Sequence, residues 1–132
     1  MTKEDAKVEY IDVSNNLRHW NSLRFVELTV YMAITGAMLN VVFGKPTPPP
    51  LGVGLLMKAS GILVSLLFLI LHERTMSWWY QFVERAAELE ETLEFEQYRR
   101  RPQGHKITSR WSISLFFIVM ILFWAISIFI QY

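Results

Sequence analysis

The sequence contains no cysteine and only three histidines. The absence of cysteine excludes disulfides, thiolate zinc sites and cysteine nucleophiles. The histidines, His19, His72 and His105, lie far apart, and none has a second histidine at the metal-ligand spacing of HExxH. The sequence also lacks a nucleophile elbow and a glycine-rich phosphate loop. We therefore predict a protein that is not an enzyme and that uses no cofactor.

Charge is scarce over three long stretches of the chain. A membrane-spanning helix needs about 20 consecutive, mostly apolar residues. The stretches that meet this length are residues 25–43, 53–71 and 111–130, and they contain only two charged side chains, Glu27 and Lys58. The sequence therefore predicts an all-α membrane protein with three transmembrane helices and the lipid bilayer as its first partner.

Basic residues are distributed unevenly around these spans. Lysines and arginines occur throughout residues 1–24 and 72–110, whereas residues 44–52 contain only Lys45 beside four prolines. Because cytoplasmic loops carry the excess of lysine and arginine, we predict that the N-terminal segment 1–24 and the segment 72–110 are cytoplasmic. The proline-rich loop 44–52 and the C-terminus then lie outside. A net charge of +1 gives no reason to expect nucleic acid as a partner.

Three consecutive arginines follow a glutamate-rich run. Residues 88–96 contain five glutamates, and Arg99, Arg100 and Arg101 come directly after them. We expect the arginines to hold this loop in the cytoplasm. A second role, in which they contact anionic lipid headgroups, remains open.

An apolar stripe continues beyond the second span. Its residues recur at steps of three and four, which places them on one face of a helix. The stripe consists of Trp79, Phe82, Ala86, Leu89 and Leu93. We assign the glutamates, including Glu90 and Glu94, to the solvated face. No glycine or proline occurs between Gly61 and Pro102. The second span is therefore predicted to continue as a cytoplasmic amphipathic helix, packed as in a coiled coil, until Pro102 and Gly104 end it.

A weaker stripe of the same kind precedes the first span. It consists of Tyr10, Val13, Leu17 and Trp20. Asn15 and Asn16 are poor residues for the middle of a helix, so we expect the helix to begin near Ser14. It should continue into the first span and run antiparallel to residues 76–98. The two segments together predict a cytoplasmic helical stalk.

The two charged residues within the spans are candidate functional residues, because charge is expensive in a membrane. Glu27 lies near the cytoplasmic surface, and we expect it to bond Arg24 or a neighbouring subunit. Lys58 lies near the outer surface, where its long side chain can snorkel to the headgroups. It can also face a subunit interface or a central cavity beside Asn40. We carry forward the hypothesis that Lys58 faces the interior of an assembly.

The layout resembles that of a known protein family. The stretches that carry the resemblance are NNLRHWNSLRFVELTVYMAITGAML, ERAAELEETL and FFIVMILFWAISI. They resemble the RipA-type small octameric inner-membrane proteins of bacteria and, more loosely, the compact transmembrane effectors of antiphage (antiviral) defence systems. The resemblance implies a homo-oligomer of the bacterial inner membrane that encloses a pore or a lipid-filled centre.

Two functions are consistent with these features. The first is a ring-like homo-oligomer that forms a pore or perturbs the membrane, since the stalk supplies its own complementary apolar stripes. The second is a small accessory subunit of a larger membrane complex. The sequence favours the first.

Overall fold

A computed structural model describes residues 2–44, 47, 49–100 and 109–130 of the protein. These residues form three helices, α1 (Lys3–Phe43), α2 (Leu51–Leu93) and α3 (Ser109–Phe129), and the described ranges contain no strand. All three helices are long and apolar enough to cross a membrane. The predicted fold class, an all-α chain with three candidate transmembrane helices, is confirmed.

Helix α1 begins earlier than predicted. The prediction of a start near Ser14 is wrong, because Thr2 and Asp5 form a capping box at the N-terminus. The Asp5 N–H donates to Thr2 Oγ1 at 3.2 Å, and the Thr2 N–H donates to the Asp5 carboxylate at 3.1 Å. The Thr2 hydroxyl also donates to the Asp5 carboxylate at 2.6 Å, and this bond, together with the one from the Thr2 N–H, lowers the pKa of Asp5. Asparagine in the interior of a helix costs about 0.7 kcal/mol relative to alanine. Capping and packing outweigh this cost at Asn15 and Asn16.

Helix α2 is the long continuous helix that the sequence predicts. Its 43 residues span about 65 Å at 1.5 Å per residue. It ends at Leu93, before the two predicted breakers, because Glu94 adopts a left-handed conformation with φ of 62°. Pro102 and Gly104, the predicted breakers, lie outside the described residues. The chain therefore reverses at Glu94 without a glycine or a proline.

We call residues 3–24 of α1 and residues 72–93 of α2 the stalk. Its core contains Val13, Leu17, Ala86 and Leu89 from the two predicted stripes, together with Ala6 and Val83, which the stripes did not include. Partly buried hydrophobic residues pack against this core, namely Tyr10, Trp79, Phe82, Leu93 and Tyr98. The two helices run antiparallel, since Lys3 pairs with Glu94 at one end and Trp20 stacks on Trp78 at the other.

Helix α2 packs against both α1 and α3. We call the part of the three helices outside the stalk, residues 25–43, 51–71 and 109–129, the membrane region. The Tyr31 ring of α1 contacts Phe117 of α3 at a centroid distance of 4.8 Å, and its hydroxyl lies 2.8 Å from Ser65 Oγ of α2. Gly61 of α2 lies against the Trp124 ring, so close that an added Cβ atom would be 2.4 Å from it. Tyr31 and Gly61 therefore fix how closely the three helices approach one another.

Candidate functional site

Lys58 is buried between α2 and α3, with 8% of its surface exposed. Its Nζ donates to the backbone carbonyl of Ser127 at 2.5 Å and to that of Ile130 at 3.2 Å. The last carbonyls of a helix have no partner within the helix, and they form the negative end of its dipole. Lys58 therefore caps the C-terminal end of α3.

The expectation of an exposed Lys58 that snorkels outward is wrong, because its amino group is buried and binds α3 of its own chain. The physical reason is that carbonyl groups left without a donor are costly in a membrane, where no water replaces the missing bond. The alternative, that Lys58 faces the interior of an assembly, concerns contacts between copies and stays a prediction.

Asn40 lies in the last turn of α1 with its side chain exposed. The Gly44 N–H donates to the Asn40 backbone carbonyl at 2.9 Å. An added Cβ atom on Gly44 would lie 2.6 Å from the Asn40 backbone oxygen, which is closer than ordinary contacts allow, so this position favours glycine. The Asn40 backbone carbonyl therefore accepts the N–H of the residue that ends α1.

Glu27 bonds to α2 near the boundary between the membrane region and the stalk. Thr75 Oγ1 donates to Glu27 Oε1 at 2.8 Å. The sequence prediction named Arg24 or another subunit as the partner, and Thr75, which is 48 residues away, was missed. Among the described residues no group donates to the second carboxylate oxygen of Glu27, which is also buried.

A second polar contact holds α3 to α2 at the same boundary. Arg110 Nε donates to Glu73 Oε2 at 2.9 Å, and Ser114 Oγ donates to Glu73 Oε1 at 2.6 Å. The Arg110 guanidinium also lies 5.9 Å from the centroid of the Tyr80 ring. Glu27 joins α1 to α2, and Glu73 joins α2 to α3. Both flanking helices are therefore bonded to α2 where the stalk begins.

Glu90 is the most buried ionisable residue of the stalk, with 0% of its surface exposed. Its carboxylate accepts the Tyr10 hydroxyl at 2.9 Å, the Tyr98 N–H at 2.9 Å and the Arg99 N–H at 3.0 Å. Burial and the neighbouring carboxylate raise the pKa of Tyr10 to about 12. Tyr10 therefore remains a neutral hydrogen-bond donor at physiological pH.

The prediction that Glu90 lies on the solvated face is wrong. Position 90 lies seven residues after Val83 and four after Ala86, on the face of α2 that packs against α1. The chain also reverses at Glu94, and the Tyr98 and Arg99 N–H groups fold back onto the Glu90 carboxylate. Hydrogen bonds to an ionised group contribute about 1.5–3 kcal/mol each, which offsets the cost of burying the carboxylate. Glu94, by contrast, is exposed as predicted and pairs with Lys3.

The three arginines of the run differ in their contacts. Arg99 has an exposed side chain, although its backbone N–H binds Glu90. Arg100 is also exposed and pairs with Glu96. Arg101 lies outside the described residues. The exposed guanidinium groups are compatible with either role expected for them.

The described residues do not form a metal centre. Within residues 2–44, 47, 49–100 and 109–130, no group of three or more histidine, cysteine or carboxylate side chains is placed to hold a metal ion. The buried charges instead bind backbone groups or neighbouring helices. The fold and these contacts define a helical membrane protein whose internal polar groups hold its helices together. No protein-family model, curated protein or solved structure matches the chain.

Proposed function

We propose that the chain is a non-enzymatic protein of the bacterial inner membrane that acts by assembling into a homo-oligomer, with its stalk in the cytoplasm. The observation that carries this proposal is a pair of exposed apolar residues outside the predicted spans. Val8 is 58% exposed and Ile11 is 51% exposed. Both lie on the side of α1 that faces away from the stalk core, since they are out of phase with Val13 and Leu17.

A single chain leaves this face in water. The same helix also carries many charged residues between Lys3 and Arg18, so residues 3–24 are unsuited to lie in lipid. A second copy of the stalk offers a partner that is always present at the same depth of the membrane. Self-assembly is therefore the function that the exposed face supports best.

A pore enclosed by such an assembly, or an effector-like perturbation of the membrane, belongs to the same proposal. We propose that Lys58 contributes no ring of ammonium groups to such a pore, since its Nζ binds the end of α3 in its own chain. We expect conductance in planar bilayers, if the assembled protein produces it, to keep its ion selectivity in the variant Lys58→Met.

The mass of the purified chain in detergent tests the proposal. A defined oligomer supports it. A chain that stays monomeric at working concentration contradicts it, and favours an accessory subunit that covers the Val8 and Ile11 face with a different protein.

The proposed orientation has its own test. Reporter fusions after residue 47 should report the outside, and fusions after residue 104 should report the cytoplasm, because of the charge asymmetry around the spans. The reverse pattern would place the stalk outside.

A further inference from the structure

We infer that the outer face of α1 in one copy docks on the outer face of α2 in the next copy. This inference rests on the proposed self-assembly and specifies its interface. The α1 docking face consists of Lys7, Val8, Ile11 and Arg18. The α2 docking face is a shallow groove lined by Glu84, Ala87, Glu88, Glu91, Tyr98 and Arg99.

The two faces carry opposite charges that the single chain leaves uncompensated. The ion pairs of the described stalk and its following turn join Lys3 to Glu94, Arg85 to Glu9 and Glu88, Arg100 to Glu96, and Glu73 to Arg110 of α3. Within the described part of the chain, Lys7 and Arg18 belong to no ion pair, and neither do Glu84 and Glu91. Each face can therefore neutralise the other.

Depth in the membrane brings matching residues together. Copies that span the same bilayer in the same orientation lie at the same height. Within one chain, the contacts Lys3–Glu94 and Trp20–Trp78 fix the register of the two antiparallel helices. Interpolation between these contacts puts Lys7 at the height of Glu91 and Ile11 at the height of Ala87.

At these heights, apolar residues of the α1 docking face lie opposite an apolar residue of the α2 docking face, and basic residues lie opposite acidic ones. Ile11 and Val8 meet the small side chain of Ala87, and Lys7 meets Glu91. Arg18 lies about one turn closer to the membrane than Glu84, within reach of a long side chain. Glu4, which lies about one turn beyond Lys7 and outside the α1 docking face, is at the end of the stalk where Arg99 lines the groove.

Charge also excludes the two symmetric arrangements. If two α1 docking faces met at the same height, Lys7 would oppose Lys7. If two α2 docking faces met, the glutamates would oppose one another. Like charges in contact repel, so the head-to-tail arrangement of α1 on α2 is favoured. A head-to-tail contact forms a ring when its rotation closes.

Cysteine cross-linking tests this arrangement without background, because the natural chain has no cysteine. Two full-length chains with different tags are co-expressed, one with Ile11→Cys and the other with Ala87→Cys, and the membranes are oxidised. We expect a disulfide-linked heterodimer that carries both tags. The matched control replaces Ile11→Cys by Asn16→Cys, an exposed position on a different face of α1, and should give no heterodimer.

A charge reversal provides a second readout. Lys7→Glu should weaken assembly roughly two- to fivefold, as expected for one exposed ion pair. Adding Glu91→Lys in the same chain should restore it. Circular dichroism of each variant checks that the helices are intact.

The outcomes separate the inference from the proposed function. A chain that is oligomeric by mass but forms no Ile11–Ala87 cross-link and shows no charge rescue overturns the inference and leaves self-assembly intact. Two chains that cross-link through Ile11→Cys alone overturn it too, since they indicate a symmetric α1 contact. A monomeric chain overturns both.

Discussion

Two buried ionisable side chains, Glu90 in the stalk and Lys58 in the membrane region, perform the same task with opposite charges. Glu90 accepts backbone N–H groups from the chain reversal after α2. Lys58 donates to backbone carbonyls at the end of α3. In both places a charge binds backbone groups that no helical hydrogen bond satisfies. The negative Glu90 accepts from N–H groups, and the positive Lys58 donates to carbonyl oxygens.

The difference between them lies in the solvent. The reversal after α2 borders water, which can replace a lost bond once the turn opens. The end of α3 is the end of a candidate membrane span, where a lost bond is harder to replace. Removing Glu90 should therefore open a local segment, whereas removing Lys58 should loosen the packing of a whole helix.

The largest effect is expected for Glu90→Leu. This change removes the acceptor of three bonds to a carboxylate, from the Tyr98 N–H, the Arg99 N–H and the Tyr10 hydroxyl. Water regains part of the loss when the turn opens, so the free energy of unfolding should fall by about 3–5 kcal/mol. Chemical unfolding followed by circular dichroism measures it. Glu94→Leu is the matched control on an exposed glutamate and should stay within about 0.5 kcal/mol. Equal effects of the two changes would mean that Glu90 is not buried.

Lys58→Met should have the next largest effect. Methionine fills the space of the lysine stem but donates no hydrogen bond, so the carbonyls of Ser127 and Ile130 lose their donor at a cost of about 1–3 kcal/mol. Unfolding in detergent micelles measures the loss. Leu63→Met, a change at an exposed position of the same helix, serves as the control. An increase in stability on replacing Lys58 would indicate that the lysine faces lipid.

The contact between α2 and α3 can be tested without changing any charge. Gly61→Ala puts a methyl group against the Trp124 ring and should cost about 1–3 kcal/mol by overpacking. Gly36→Ala is the control, because no atom lies within 4 Å of the added group. It should be neutral or slightly stabilising. Similar costs at both glycines would contradict the close approach of the two helices.

The smallest effect concerns pH. The pKa of Tyr10 is raised to about 12 in the folded chain, above its usual value of about 10. The folded chain therefore holds the proton more tightly, so this contribution to stability is complete below pH 10 and is lost as the pH rises toward 12. Thermal unfolding at pH 9 and pH 11 measures the change. Tyr10→Phe should reduce the difference in stability between the two pH values. If the difference is unchanged in this variant, the pH dependence does not come from the Tyr10–Glu90 bond.

The sequence predicts the parts of this molecule that follow helical periodicity. The spans contain long apolar runs, and the stalk stripes repeat every three or four residues, so Ala86 and Leu89 could be assigned to one face of the helix. The partners of Glu90 and Lys58 have no such pattern. The turn over Glu90 depends on a left-handed glutamate rather than a glycine, and Ser127 lies 69 residues from Lys58. Contacts of this kind depend on tertiary packing, which periodicity does not record.

Amide hydrogen exchange at Tyr98 and Arg99 tests most directly whether buried charge in this chain serves backbone groups. We expect both amides to be protected in the natural chain and to exchange rapidly in Glu90→Leu, while the amides of the stalk core remain protected. Rapid exchange of both amides in the natural chain would contradict it, because Glu90 would then bind neither of them.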